Sequence, residues 1–376
     1  MRVKRSTRIL ISGGGTGGHI FPAISIANAL REINHELEIL FVGALGQMEM
    51  ERIPEAGYRI VGLPIAGLQR SLSLKNLSFP FKLLRSLRQA SRIVKDFKPD
   101  VAIGVGGYAS GPVLWMAQRR GIPTLIQEQN SYAGLTNKLL GRRANAICVA
   151  YKGMERYFPK ERIVLTGNPI RQELASIEGL QREATEYFGV PEGNHVVLVI
   201  GGSLGARTIN RSIMGQLAKL LEKEKLTLIW QTGKIYYSNI KMKVAGLEGD
   251  SLKVYDFISR MDLAYSIANL VVSRAGACTI SELSQVGKPT ILIPSPNVAE
   301  DHQTKNAKAL VSEGAAIMIT DERAPEQLAD RIIESIDNPE ILNAMSERIR
   351  SMAIANSAEL IARKVLELVG GESNDI

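Results

Sequence analysis

Cysteine, histidine and tryptophan are scarce in this chain of 376 residues, with two, four and two copies. Both cysteines, Cys148 and Cys278, lie inside apolar stretches, which argues against a disulfide framework and for a reducing, cytoplasmic compartment. No run of 18 apolar residues exists, so the sequence offers no bilayer-spanning helix. The N-terminal MRVKRSTRILIS carries basic residues, but its apolar run is short and ends in glycines. It reads as a strand rather than a signal peptide. There is no Asp-x-Asp pair and no His/Cys ligand spacing, and Glu300, Asp301 and His302 read as capping groups before a helix. The expectation is therefore no metal site and no other cofactor.

What is present is the composition of an ordinary globular protein, 45% hydrophobic and 22% charged, long enough for two domains. The net charge of +8 favours anionic partners, whether nucleic acid, phosphorylated ligands or an anionic membrane. Short apolar strands are expected at Arg8–Ser12, Glu38–Val42, Asp100–Val105, Thr124–Gln127, Ala146–Ala150 and Ile163–Thr166. A second series follows at Val196–Ile200, Thr227–Gln231, Leu252–Tyr255, Leu270–Ser273, Thr290–Ile293 and Ala316–Ile319. Helical patterns lie between them, such as Ile20–Glu32, Gly111–Arg120, Leu204–Lys225 and Thr279–Val286. Such alternation indicates an α/β fold with parallel sheets covered on both faces. Each half opens with strand, glycine loop and helix, so two doubly wound, Rossmann-like domains facing across a cleft are the economical reading. The expected division is 1–170, 171–345, and a C-terminal helix with tail, 346–376, packing back on the fold.

Five of the six residues Gly13–Gly18 are glycine, and they satisfy the G-x-G-x-x-G pattern. Glycines after a buried strand let backbone N–H groups and a helix N-terminus approach phosphate. An NAD site also needs a carboxylate at the end of the second strand, and Gly43 to Gln47 carry none. His19, where the loop enters the helix, suits a general base or phosphate ligand as well as a plain capping or packing role. In the second half, Gly201–Gly205 repeats the arrangement with Ser203 added. Further on, SRAGACTISE places Thr279 at a helix start, with Glu282 able to accept from ribose hydroxyls or merely favour the helix dipole.

Taken together, GGGTGGHIFPA, GVGGYASGP, IQEQNSYAGLTNK, TGNPIR, GGSLGA, and SRAGACTISE with the later DHQ resemble the bacterial peptidoglycan glycosyltransferases. The motifs appear in that family's order from residue 8 to about 310. The resemblance implies the GT-B architecture and an inverting transfer of N-acetylglucosamine (GlcNAc) from UDP-GlcNAc. The acceptor it implies is lipid I, undecaprenyl-pyrophosphoryl-N-acetylmuramoyl (MurNAc)-pentapeptide, which becomes lipid II. It assigns Thr16, Gly17, Gly18, Asn130, Arg171, Ser203, Ile258 and Gln303 to the donor side. The turn Ala277, Cys278, Thr279, Ile280, Ser281 and Glu282 joins them, with Glu282 on the ribose and the backbone of Ile258 on the uracil edge. The acceptor side takes Gly14, Gly15, Tyr108 and Asn137. His19 is the first candidate for the base that removes the acceptor proton and Glu128 the second.

The family is peripheral on the cytoplasmic face of the membrane, so an anionic membrane surface is an expected partner and nucleic acid is not. Asn76 to Lys98 places Leu83, Leu87, Ala90, Val94 and Phe97 on one helical face, with Lys82, Arg85, Arg92 and Lys95 on another. That pattern fits a membrane-surface helix and equally a domain helix with a solvated basic face. Leu72, Leu74 and Phe79 add apolar weight to the membrane reading. Three rivals remain at this level: a different GT-B transferase acting on a lipid acceptor, a non-catalytic UDP-sugar-binding protein, and an NAD-dependent oxidoreductase.

Overall fold

The computed structural model describes residues 6–65, 79–170, 174, 177–202, 204–298 and 301–370. The chain forms two α/β units. One comprises the residues up to Ile170 and those from Ile354 onward, and the other is Arg171–Ala353.

The first unit contains β1 (Arg8–Ser12), β2 (Glu38–Ala44), β3 (Arg59–Leu63), β4 (Val101–Gly104), β5 (Thr124–Glu128), β6 (Ala146–Val149) and β7 (Ile163–Leu165). They form one sheet in the order β3-β2-β1-β4-β5-β6-β7, parallel at every pairing. Side chains alternate across it: Ile9 and Ile11 enter one core with Ile103 and Leu125, while Leu10 enters the opposite core with Ala102 and Ile126. Both faces are covered, which is why these strands read as unbroken apolar runs.

The second unit contains β8 (His195–Ile200), β9 (Leu226–Gln231), β10 (Leu252–Tyr255), β11 (Leu270–Ser273), β12 (Thr290–Leu292) and β13 (Ile317–Met318). The order β10-β9-β8-β11-β12-β13 is again wholly parallel. In both sheets the strand order reverses beside the unit's first strand, between β1 and β4 and between β8 and β11. Loops leaving the carboxyl ends of those strands diverge there and leave a crevice, the usual ligand position in open α/β sheets.

The expected strands all occur, with ends shifted by a residue or two. β3 is additional: Arg59–Leu63 mixes arginine and glycine with apolar residues and pairs only with β2 at the sheet edge, so it lacks the apolar run of a central strand. The helical stretch expected at Leu204–Lys225 is two helices, Arg207–Gly215 and Leu217–Leu221. The C-terminal region is also divided. Helix Pro339–Ser351 stays in the second unit beside helix Ala277–Val286, whereas helix Ser357–Gly370 packs on helix Gly17–Ile33 of the first unit. Ile361, Ala362 and Val365 thereby complete the core beneath β1 and β4.

Candidate active site

The described donor- and acceptor-side residues fall into two groups, one toward the carboxyl edge of each sheet. In the first unit, β1 ends at Ser12 and the chain turns through Gly13–Gly15 before helix Gly17–Ile33. A Cβ on Gly14, where φ is +150°, would overlap the carboxylate of Glu49. Sequence reasoning missed Glu49. It opens helix Glu49–Glu55, is 1% exposed, and its Oε1 and Oε2 accept from the backbone N–H groups of Ala44 and Gly15, each at 2.9 Å. Gly43 to Gln47 carry no carboxylate, as expected, but one arrives just past Gln47. It is buried on the protein's own backbone and not placed to grip a ribose. Gly15, expected on the acceptor side, donates its N–H to it.

Helix Gly17–Ile33 starts earlier than the pattern suggested, with Gly17, Gly18 and His19 as its first three residues. Its first turn holds no acidic residue, so no carboxylate there offsets the positive end of the helix dipole. Thr16 occupies the N-cap position without a side-chain cap bond, its hydroxyl lying instead 3.2 Å from His19 Nδ1. The same Nδ1 is 3.1 Å from the carbonyl oxygen of Gly14. A carbonyl only accepts, so Nδ1 carries the proton and the neutral ring's lone pair sits on Nε2. The ring packs against Gly106, where φ is +91° and a Cβ would lie 2.8 Å from Nε2. That close approach accounts for the second glycine-rich segment, which supplies the bare backbone the ring rests on. Behind it, Gln129 Nε2 donates to Val105 O at 2.7 Å and Asn168 Nδ2 to Gln129 O at 2.9 Å, a buried floor tying the ends of β4 and β5 to the chain after β7.

Glu128, the second candidate base, ends β5 and is 2% exposed. Its Oε1 accepts from Asn130 N and Nδ2 at 3.1 and 3.3 Å, and its Oε2 from Gly134 N and Asn137 Nδ2 at 3.1 and 2.8 Å. Burial pushes its pKa up, against the downward pull of these bonds. Both oxygens are engaged beneath the loop by its own N–H groups and amides, so Glu128 shapes that loop. Asn137, expected at the acceptor, is 4% exposed and turned to Glu128, so it too belongs to the loop's support. Asn130 is half-buried in that loop, and Tyr108 is exposed on the turn between β4 and helix Ser110–Arg119. Cys148 lies in the core, its thiol pushed up to about 12 by burial.

The second unit repeats the strand, loop and helix arrangement. Gln231, at the end of β9, links two loops: its Nε2 donates to Gly202 O at 3.2 Å and its Oε1 accepts from Ile258 N at 2.8 Å. Ile258, expected to read uracil through its backbone, therefore has its N–H on Gln231 in this structure. Helix Ala277–Val286 begins directly after Gly276, with Ala277, Cys278 and Thr279 in its first positions and no acid in its first turn. Within it, Ile280 N donates to Gly276 O, Ser281 Oγ donates to Ala277 O at 3.0 Å, and Glu282 accepts from the Tyr265 hydroxyl at 3.2 Å. Gln303 accepts from Ser295 N at 2.8 Å, holding the loop after β12. Arg274 braces this edge, with Nη1 donating to Ile293 O at 3.0 Å and Pro294 O at 3.2 Å and pairing with Asp321, which also accepts from Thr208 Oγ1 at 2.8 Å. Gln231, Tyr265 and Asp321 carried no motif signal of their own, because each acts through a partner distant in sequence, while Arg274 lies inside SRAGACTISE but was not singled out.

Arg171, Ser203, Leu72 and Leu74 lie outside the described residues, and of Phe79 only the helical backbone is described. Lys82, Arg85 and Arg92 are exposed on helix Phe79–Phe97, while Ala90 and Val94 are buried in the core, with Leu83 and Phe97 packed against it. Among the described residues, no group of three or more His, Cys, Asp or Glu side chains is placed to hold a metal ion.

The model of the glycosyltransferase family 28 N-terminal domain matches residues 9–149, and that of the family's C-terminal domain matches residues 196–363. The UDP-N-acetylglucosamine–N-acetylmuramyl-(pentapeptide) pyrophosphoryl-undecaprenol N-acetylglucosamine transferase of Parabacteroides distasonis is 52% identical over 97% of this chain and 99% of its own. The enzyme of the same name in Porphyromonas gingivalis is 55% identical over 97% of this chain and 96% of its own. Among solved structures, Acinetobacter baumannii MurG matches with a TM-score of 0.77 at 28% identity, over 96% of this chain and 99% of that one. A UDP-GlcNAc 2-epimerase from Neisseria meningitidis, solved with UDP-GlcNAc bound, shares the fold at a TM-score of 0.64 and 14% identity, over 96% of this chain and 100% of its own. The two parallel α/β domains agree with the GT-B fold expected of such proteins. Its two domain models falling in order on the two sheets, and its full-length relatives sharing over half their residues with it, the chain belongs to glycosyltransferase family 28.

Proposed function

We propose that this chain transfers GlcNAc from UDP-GlcNAc to the C4 hydroxyl of MurNAc in undecaprenyl-pyrophosphoryl-MurNAc-pentapeptide, with inversion at the sugar C1. The observation that carries this reading is its similarity, over nearly the whole chain, to enzymes named for that reaction. The second unit takes the donor. The start of helix Ala277–Val286 receives the pyrophosphate, Glu282 the ribose, the Ile258 backbone the uracil and Gln303 the sugar. The first unit takes the acceptor beside Gly17, Gly18 and His19. His19 Nε2 accepts the C4 hydroxyl proton as the new bond to C1 forms and the bond from C1 to the UDP oxygen breaks. Charge growing on the departing pyrophosphate is met by N–H groups and the dipole at the helix start, which are already oriented before the reaction.

The first unit also carries the membrane contact in this reading, on the cytoplasmic face. Helices Phe79–Phe97, Ser110–Arg119 and Leu135–Gly141 pack in sequence and leave Phe81, Leu84, Trp115, Leu135 and Leu139 exposed. Lys82, Arg85 and Arg92 are exposed on the first of them. Among the described residues, no helix is long and apolar enough to cross a membrane. Exposed apolar side chains beside cations suit an anionic lipid surface.

The test is transfer of labelled GlcNAc to a lipid I analogue by the wild type and by His19→Ala. The expected result is robust transfer by the wild type and a loss of about 100- to 10,000-fold in the variant, the usual worth of a general base. UDP-GlcNAc affinity should stay within twofold. Failure of the wild type to transfer would overturn the function, and full turnover in the variant would overturn the base assignment.

A further inference from the structure

A single peptide group stands between Glu49 and His19. The Gly14–Gly15 amide donates its N–H to Glu49 Oε2 at 2.9 Å, and its carbonyl oxygen accepts from His19 Nδ1 at 3.1 Å. We propose that Glu49 is a positioning residue for the transfer reaction, acting on the His19 ring through this one peptide. The inference rests on His19 being the base.

The physical argument starts from polarisation. A carboxylate accepting from an amide N–H draws positive charge toward that side and leaves the carbonyl oxygen more negative, and hydrogen bonds in such a chain strengthen one another. The carbonyl then holds Nδ1–H more firmly, keeps the lone pair on Nε2 and stabilises the imidazolium once the substrate proton arrives. Elsewhere a carboxylate or carbonyl touching a histidine directly sets its tautomer and basicity. Here the carboxylate acts one amide away. No proton leaves Glu49: the hydroxyl proton moves to Nε2, and the Nδ1 proton stays.

The surroundings hold this geometry. Glu49 is 1% exposed, and each of its oxygens takes a backbone N–H, so the carboxylate has one orientation. A Cβ on either Gly14 or Gly43 would overlap its side chain, so the backbone is bare where the carboxylate lies. On the other side, Gly106 presses against the imidazole. The ring is therefore held between the peptide and a second stretch of backbone.

The test uses the full chain with Glu49→Gln, Glu49→Asp, His19→Ala and the double variant Glu49→Gln/His19→Ala. Glutamine offers one acceptor oxygen to two N–H donors and sets its own NH2 against the other, while aspartate keeps the charge but draws it back by one bond. The expected result for Glu49→Gln is a kcat about 10- to 100-fold lower, the range seen when a histidine loses its orienting partner. UDP-GlcNAc affinity by calorimetry should stay within twofold, and the 15N signals of the His19 ring should move away from the Nδ1–H pattern. The double variant should be no slower than His19→Ala, because Glu49 would act only through the ring. Glu49→Asp should shift the ring signals in the same direction with a smaller loss, and it serves if the glutamine variant does not fold. Ring signals identical to wild type in both Glu49 variants, or losses that multiply in the double variant, would overturn the proposal. Full turnover in His19→Ala would remove the base reading beneath it, while a ring shift in Glu49→Gln would still establish the link between carboxylate and imidazole.

Discussion

Glu282 illustrates how much a single side chain carries here. It is 8% exposed, sits in the second turn of a helix, and accepts from Tyr265, which is itself fully buried. That bond fixes its rotamer, so the carboxylate is held ready for the proposed ribose contact at little further cost in side-chain entropy. Glu282→Ala should weaken UDP-GlcNAc binding by about 10- to 100-fold, from the ~1.5–3 kcal/mol of hydrogen bonds to a charged group. Tyr265→Phe should weaken it less, since the carboxylate remains. Calorimetry checks both, and equal affinity in Glu282→Ala would remove that residue from the donor site. Glu282 and His19 were legible as candidates because each lies a few residues from a glycine turn, within reach of a local argument. Glu49 was not, since its partner Gly15 is 34 positions away and the length of β2 decides where the carboxylate lands.

Among the elements, helix starts matter most. Helices Gly17–Ile33 and Ala277–Val286 begin a turn or less beyond their glycines, which brings the N–H groups of each closer to the carboxyl edge of its own sheet than apolar periodicity suggested. Helix ends are also served by distant residues. Lys288, after helix Ala277–Val286, donates to Ser266 O at 3.2 Å and Ala268 O at 2.9 Å, at the end of helix Met261–Ile267. A cation suits a helix C-terminus, but burial, with Arg350 nearby, outweighs that and lowers the Lys288 pKa from 10.5 to about 8. A lysine depressed in the fold makes its charged form costly. The cost is complete below pH 8 and is relieved as pH rises toward the unfolded value, because the unfolded chain then binds more protons. The stability of the wild type relative to Lys288→Met should therefore rise by roughly 2–3 kcal/mol between pH 7 and pH 10. Chemical denaturation at both pH values measures it, and a constant difference would contradict the depressed pKa.

Across the whole molecule, charge and apolar exposure combine on the first unit. Replacing Lys82, Arg85 and Arg92 together by Ala should reduce partitioning onto anionic vesicles by about 100-fold at low salt, from about 1 kcal/mol per cation near the surface. Zwitterionic vesicles should show little change, and equal partitioning on anionic ones would leave those residues as a solvated helix surface. For this helix the sequence allowed two readings; Ala90 and Val94 are core, as a domain helix requires, and Phe81 and Leu84 are exposed. The sequence by itself determined the two parallel sheets, their glycine loops and the residue types at each helix start. Those follow from short-range rules: apolar runs buried on both faces, bare backbone at tight turns, and dipoles at helix ends. Only the tertiary structure decided which carboxylates serve the protein's own backbone, as Glu49 and Glu128 do, and which tautomer His19 holds. It also decided that helix Ser357–Gly370 completes the first core. Those outcomes depend on contacts between segments far apart in the chain, and no local pattern encodes where a folded sheet will bring them together.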